Sequence, residues 1–203
     1  MQGQGGAPLT GADASEAPEG SASNEPVGPA ASRSSARRPV LALVATALLI
    51  IAADVISKVV VVDRLAHRAP ITLIPDVLDL ELTRNGGAAF SVGTRATVLF
   101  TAVALVVAVV IARTAPRLTS AGWAAVLGLL LGGAVGNLID RLARAPGPGR
   151  GEVVDWIHLH HWPVFNLADS AIVVGAVVAV LLSVKGVPAT SPRDERSQDG
   201  PRG

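Results

Sequence analysis

The chain has 203 residues, of which half are hydrophobic, with three Phe, three Trp and no Tyr, and its mean hydropathy is +0.48. Such a composition belongs to a small membrane protein and not to a soluble domain. A net charge of +1 gives no electrostatic reason to expect nucleic acid as a partner, and the absence of Cys excludes disulfides, thiolate nucleophiles and attachment of a lipid to cysteine.

In chain order, residues 1–38 are dominated by Gly, Ala, Ser, Pro and Glu and read as a disordered extension. Arg33, Arg37 and Arg38 then precede an apolar run from Val40 to Val62. The run is too long for a signal-peptide core and is followed by no convincing small-residue cleavage site, so it reads as a retained anchor. Further runs cover Ala96 to Ala112, Ala121 to Ile139 and Ala168 to Val184, each near the ~17 to 25 residues that a bilayer requires. The fold class is therefore an all-α membrane protein of four transmembrane helices. Residues 39–185 form the membrane domain, and residues 186–203 read as a disordered tail.

An even number of spans puts both termini on one side. The short link Arg113 to Ser120 carries two Arg and no acid, so the positive-inside rule places it and both termini in the cytoplasm. The first outer loop is not featureless. Leu78, Leu80 and Leu82 alternate with Asp79, Glu81 and Thr83, a strand pattern, and Asn85-Gly86 followed by Ala88 to Val92 suggests a hairpin return. A small extracytoplasmic β element is expected there. In the second outer loop Val153 to Ile157 is also strand-like, Trp156 and Trp162 suit the headgroup level, and Trp123 suits the opposite interface.

Against this apolar background the polar residues are informative, because ionisable groups at bilayer depth are costly and are usually retained for a task. If the first helix runs outward from Val40, Asp54 lies about 21 Å and Lys58 about 27 Å along it, near the outer edge of the ~30 Å core. Asn137, Asp140 and Arg141 end the third span on that side, and Asn166 and Asp169 begin the fourth. The alternation of the spans gathers all of them in one outer layer.

Each group also has a plain structural reading. Asp54 and Lys58, four apart, can neutralise each other and fix helix packing. Asn137, Asp140 and Arg141 share a helix face and can meet headgroups and water at its end. Asn166 and Asp169 have the spacing of a capping pair, and an acid at a helix N-terminus is favoured in its ionised form. Gly128, Gly132 and Gly136 form a seam for close helix approach. Asn85 is a turn residue and Asp155 a loop acid. His158, His160 and His161 lack further ligands at a recognised spacing, so no metal site is expected. From placement alone, Asp140 would pair with Asp169.

Taken together, Asn85-Gly-Gly-Ala-Ala-Phe90, Gly132 through Asn137-Leu-Ile-Asp140-Arg141, Val153-Val-Asp155 and Phe165-Asn-Leu-Ala-Asp169, preceded by Asp54-Val-Ile-Ser-Lys58, resemble the lipoprotein signal peptidase (signal peptidase II) family over about Val40 to Val184. The resemblance implies a four-helix membrane aspartic protease whose catalytic pair is Asp155 and Asp169. It implies that Arg141 and Asn85 bind the substrate backbone, and that Asp140, Asn137, Asn166, Gly87, Asp54 and Lys58 organise the site.

The implied substrate is a prolipoprotein whose cysteine carries diacylglyceryl, cut before that cysteine, in contact with membrane lipid at the outer face of a bacterial inner membrane. No cofactor is required, and a monomer is expected. The segment between Arg141 and Val153 is longer than usual for the family, and the leading extension lies outside the resemblance. A transporter would need polar groups in both halves of the bilayer or duplicated halves; the inner halves here are almost wholly apolar and no repeat is seen. A purely structural subunit would explain the glycine seam but not an acid in each outer motif.

Overall fold

A computed structural model describes residues 30–86 and 94–190. Four long helices, α1 (Ala30–Leu65), α2 (Thr94–Thr114), α3 (Ala121–Ala143) and α4 (Leu167–Val184), alternate with a three-stranded sheet at one end of the bundle, made of β1 (Ile71–Ile74), β2 (Leu78–Asn85) and β3 (Val153–Leu159). All four helices are long and apolar enough to cross a membrane. Their outward faces carry exposed large hydrophobics such as Leu48 and Ile56 on α1, Val106 on α2 and Val177 on α4. These side chains suit lipid, which leaves backbone satisfaction to the helices themselves.

The third helix is the hub: 44% of its apolar window is buried against 17% in each of the others. Its glycine seam is the cause. A Cβ at Gly132 would stand 2.7 Å from Ile50 Cβ, and one at Gly136 would stand 2.7 Å from Asp54 Oδ2, so α1 packs directly on the α3 backbone. Ser120 caps α3, its Oγ accepting from Trp123 N at 3.4 Å. At the same end Trp123 Nε1 donates to Val187 O at 2.8 Å.

The sheet runs β1-β2-β3, both pairs antiparallel. Two details differ from the sequence reading. The hairpin turn is Pro75-Asp76, with Asp76 at φ 61° and Val77 N bonded to Ile74 O, so β2 pairs with β1 and β3. The expected return over Ala88 to Val92 lies outside the described residues. Pro and Asp are strong turn formers, and the shorter apolar run Ile71–Ile74 supplies the partner strand. Trp156, assigned to the headgroups, is partly buried with Leu80 and Leu82 against Val61 and Leu65 at the end of α1.

Two boundaries also shift. Helix α1 begins at Ala30, ahead of the apolar run, so residues 30–38 of the expected extension are helical. Val187–Thr190 of the expected tail is tied down, with Thr119 N bonded to Ala189 O and Leu118 bridged to Thr190. Residues 1–29 and 191–203 lie outside the described residues.

Candidate active site

Strand alternation aims the first carboxyl. Val154 is fully buried against Val61 and Leu65 of α1, so its neighbour Asp155 must face the other way, where it is 2% exposed. Asp155 pairs with Thr83 in the ladder. Asn85, two residues further along β2, is its diagonal neighbour on the same face, and Asn85 Nδ2 donates to Asp155 Oδ2 at 3.0 Å.

The second carboxyl is placed by a helix start. Phe165 bonds back to Trp156 and Ile157 of β3, which sets Asn166 beside Asp155. Asn166 is the N-cap of α4, and with Asp169 it forms the expected capping box: Asp169 N donates to Asn166 Oδ1 at 2.9 Å and Asn166 N donates to Asp169 Oδ2 at 3.3 Å. The same asparagine, fully buried, donates from Nδ2 to Asp155 Oδ1 at 2.7 Å and to Asn137 Oδ1 at 3.2 Å. Asn137 Nδ2 in turn donates to Asp169 Oδ1 at 2.7 Å. Each carboxyl is thus held by side-chain amides, and Asn166 touches both.

Beneath this layer lies a buried ionic frame. Lys58 Nζ lies 2.7 Å from Asp54 Oδ2, 2.8 Å from Asp140 Oδ2 and 3.1 Å from Asn137 Oδ1, so its three N–H groups each have a partner. Asp54 Oδ1 accepts from Ala168 N at 3.0 Å, which satisfies another free N–H in the first turn of α4. Asp140 accepts from Val154 N at 3.3 Å and pairs with Arg144 Nε. The carboxyl that placement alone pairs with Asp169 is therefore already committed to Lys58 and Arg144.

Arg144 was not among the expected residues, although its i, i+4 spacing from Asp140 was visible. Thr97 and Phe100 were also missed, because a lone Thr or Phe in an apolar helix carries no sequence signal. Gly87, expected to help organise the site, lies outside the described residues.

A cleft of about 490 Å³ opens beside this network, between α2, α3 and α4. Its polar end holds Asn85, Asn137, Arg141 and Asp169, and its remaining wall is apolar, including Phe100, Val103, Val107 and Ile172. The Arg141 guanidinium sits 5.6 Å from the centre of the Phe100 ring, a cation–π distance. Among the described residues, its buried Nη1 has no hydrogen-bond partner.

Burial bears on the Asp155 carboxyl. Burial pushes the Asp155 carboxyl up to about 6; the amide donors Asn85 and Asn166 and the Lys58 charge oppose that rise, while the Asp169 charge adds to it. The cluster holds four carboxyls, Asp54, Asp140, Asp155 and Asp169, and three cations, Lys58, Arg141 and Arg144.

A family description, signal peptidase (SPase) II, matches residues 46–185. Similar proteins include a lipoprotein signal peptidase of Streptomyces coelicolor, 51% identical over 155 residues that cover 76% of each chain. One of Mycobacterium avium is 44% identical over 162 residues, covering 80% of this chain and 89% of that one. A solved structure, titled a bacterial membrane enzyme structure by the in meso method at 1.9 Å resolution, shares the fold with a TM-score of 0.63 at 23% identity, over 70% of this chain and 92% of that one. The chain belongs to the signal peptidase II family.

Proposed function

We propose that this protein is a membrane aspartic endopeptidase that removes signal peptides from diacylglyceryl-modified prolipoproteins, with Asp155 and Asp169 as its catalytic pair. The observation that carries the assignment is that one buried residue, Asn166, hydrogen-bonds both carboxyl groups, Asp155 from its side-chain Nδ2 and Asp169 from its backbone N–H, at the polar end of an otherwise apolar cleft.

The two carboxyls divide the chemistry. Asp169 lines the cleft and, ionised at the start of α4, takes a proton from a water molecule as the water oxygen attacks the scissile carbonyl. Asp155, carrying the proton of the pair, donates a hydrogen bond to the carbonyl oxygen as charge develops there. Collapse of the tetrahedral intermediate breaks the C–N bond, and the proton gained by Asp169 passes to the leaving nitrogen. The two groups titrate as a unit.

Arg141 offers its unpartnered N–H to a peptide carbonyl of the substrate, and Asn85 binds the backbone beside it. The apolar wall takes acyl chains entering from the membrane. No metal or organic cofactor has a step in this scheme.

Arg113 in the last turn of α2, Arg117 before α3 and Lys185 after α4 support a cytoplasmic placement of that end by the positive-inside rule. The carboxyl pair then lies at the outer face of a bacterial cell membrane, where a lipid-anchored peptide presents its scissile bond at headgroup depth. The test is a processing assay on a diacylglyceryl-modified precursor with purified protein in lipid. Asp155→Asn and Asp169→Asn are expected to remain in the membrane and to lose conversion by about a thousandfold or more. Full processing by either variant would sink the assignment.

A further inference from the structure

Helix α2 supplies one wall of the cleft, and among the described residues a pair of threonines ties it to the segment that follows Asn85 and to the loop before β3. Thr97 is 1% exposed and Thr101 is 8% exposed. Threonines inside helices commonly bond back to the carbonyl four residues earlier. Thr101 does so, to Thr97 O at 2.8 Å, and Thr114 does so, to Val110 O at 2.8 Å. The Thr97 hydroxyl, in the first turn of α2, crosses to another segment and donates to Gly86 O.

Gly86 directly follows Asn85, the last residue of β2, where the ladder with β3 ends at the Asn85–Val153 pair. The Thr97 hydroxyl fastens the next carbonyl from the side of α2, and Phe100, one turn further along, lines the cleft. Thr101 adds a longer bond, 3.4 Å, to Gly149 O in the loop before β3.

We propose that Thr97 is a positioning residue for the reaction: by holding the Gly86 carbonyl, its hydroxyl keeps the Asn85 amide on Asp155 and sets the α2 wall against the carboxyl pair. This rests on the assignment of Asp155 and Asp169 as the catalytic pair. The charged groups acting on Asp155 are Asp169 from α4, Lys58 from α1 and Arg141 from α3, and none of them bonds to Thr97. A change at Thr97 therefore reaches Asp155 through Asn85.

The experiment compares Thr97→Val and Thr97→Ser with wild type in kcat and in its pH profile, per molecule of folded enzyme, with Asp155→Asn and Asp169→Asn alongside. The valine variant keeps the shape and loses the donor. Its kcat is expected to fall about ten- to hundredfold, the scale of a small misplacement at a reacting centre. The alkaline limb is expected to move to higher pH, because an amide bond that favours the Asp155 carboxylate is weakened.

Thr97→Ser keeps the hydroxyl and is expected to recover the wild-type limb. Should Thr97→Val fail to accumulate, Thr97→Ala removes the same hydroxyl and is read in the same way. An unmoved pH limb in either donor-less variant would overturn the proposal, as would failure of both to fold beside an intact serine variant, which would make the hydroxyl a folding determinant only. Retained activity in the two Asp variants would instead strike the catalytic assignment itself, so the two failures are distinguishable.

Discussion

The Lys58 ammonium on α1 lies 2.8 Å from Asp140 Oδ2 on α3, and both side chains are almost wholly buried. The pair links two helices at the level where the carboxyl network begins. Lys58 also neutralises Asp54, so its removal strands the buried Asp54 carboxylate and leaves Asp140 with Arg144 as its one cation among the described residues. Lys58→Met is expected to destabilise the protein by about 3 to 5 kcal/mol, the scale for breaking one partner out of a buried pair. Lys58→Arg is not a mild change, because a planar fork cannot reproduce three bonds from one tetrahedral nitrogen. Thermal unfolding in detergent checks both; a methionine variant as stable as wild type would show that the frame carries no structural role.

Asn166 performs two tasks that one substitution separates. Its Oδ1 caps α4, and its Nδ2 donates to Asp155 and Asn137. Serine caps helices about as well as asparagine but has a single hydroxyl and a shorter reach. Asn166→Ser is therefore expected to keep the protein folded, within about 1 kcal/mol, while kcat falls about ten- to hundredfold through displacement of the Asp155 carboxyl. Circular dichroism together with single-turnover processing separates the two effects. Wild-type kcat in the serine variant would show that the shared donor is dispensable.

The protonation of Asp155 sets the direction of the pH dependence. Its folded value of about 6 lies above the ordinary 3.8, with burial the largest cause. In the proposed scheme Asp155 carries the proton of the pair. As pH rises through the Asp155 value the protonated fraction declines, so kcat/KM is expected to fall on the alkaline side. Substrate expels water from the cleft and strengthens the burial effect, so the alkaline limb of kcat is expected at higher pH than that of kcat/KM. Profiles of both parameters in one buffer series check this, and a coincident or reversed order would count against Asp155 as the proton holder.

The four spans and the outer polar layer were legible in the sequence because the signal is local: an apolar run is long or short, and a charge inside it stands out. The α4 capping box was legible for the same reason, being set by Asn166 and Asp169 three residues apart. Asp155 was legible only through the family resemblance and not from local pattern, since its placement depends on Val154 being buried on the opposite face of β3 and on Asn85, 70 residues away, on the adjacent strand. Local placement favoured Asp140 for the pair, and only the three-dimensional contacts to Lys58 and Arg144 show how that acid is already occupied. The Pro75-Asp76 hairpin was passed over because Asn85-Gly86 is the stronger turn signal, while Pro75-Asp76 closes a shorter strand.

Arg141 provides the clearest separation of binding from chemistry. It lines the cleft, stacks over Phe100 and leaves a buried Nη1 without a partner among the described residues, whereas the hydrogen bonds that hold Asp155 and Asp169 come from Asn85, Asn137 and Asn166. A hydrogen bond from a charged donor to a substrate carbonyl contributes about 1.5 to 3 kcal/mol, equivalent to roughly ten- to hundredfold in binding. Arg141→Gln keeps an N–H donor on a shorter side chain and removes the cation. If the guanidinium grips the substrate equally in the ground and transition states, KM rises by that factor and kcat changes little. If it acts mainly on developing charge, kcat falls and KM holds. The position of Arg141 in the wall of the cleft, one turn beyond Asn137 on α3, favours the first outcome. Steady-state kinetics on a lipid-modified precursor, with KM and kcat resolved separately, decides between them, and a variant unchanged in both would remove Arg141 from the substrate site.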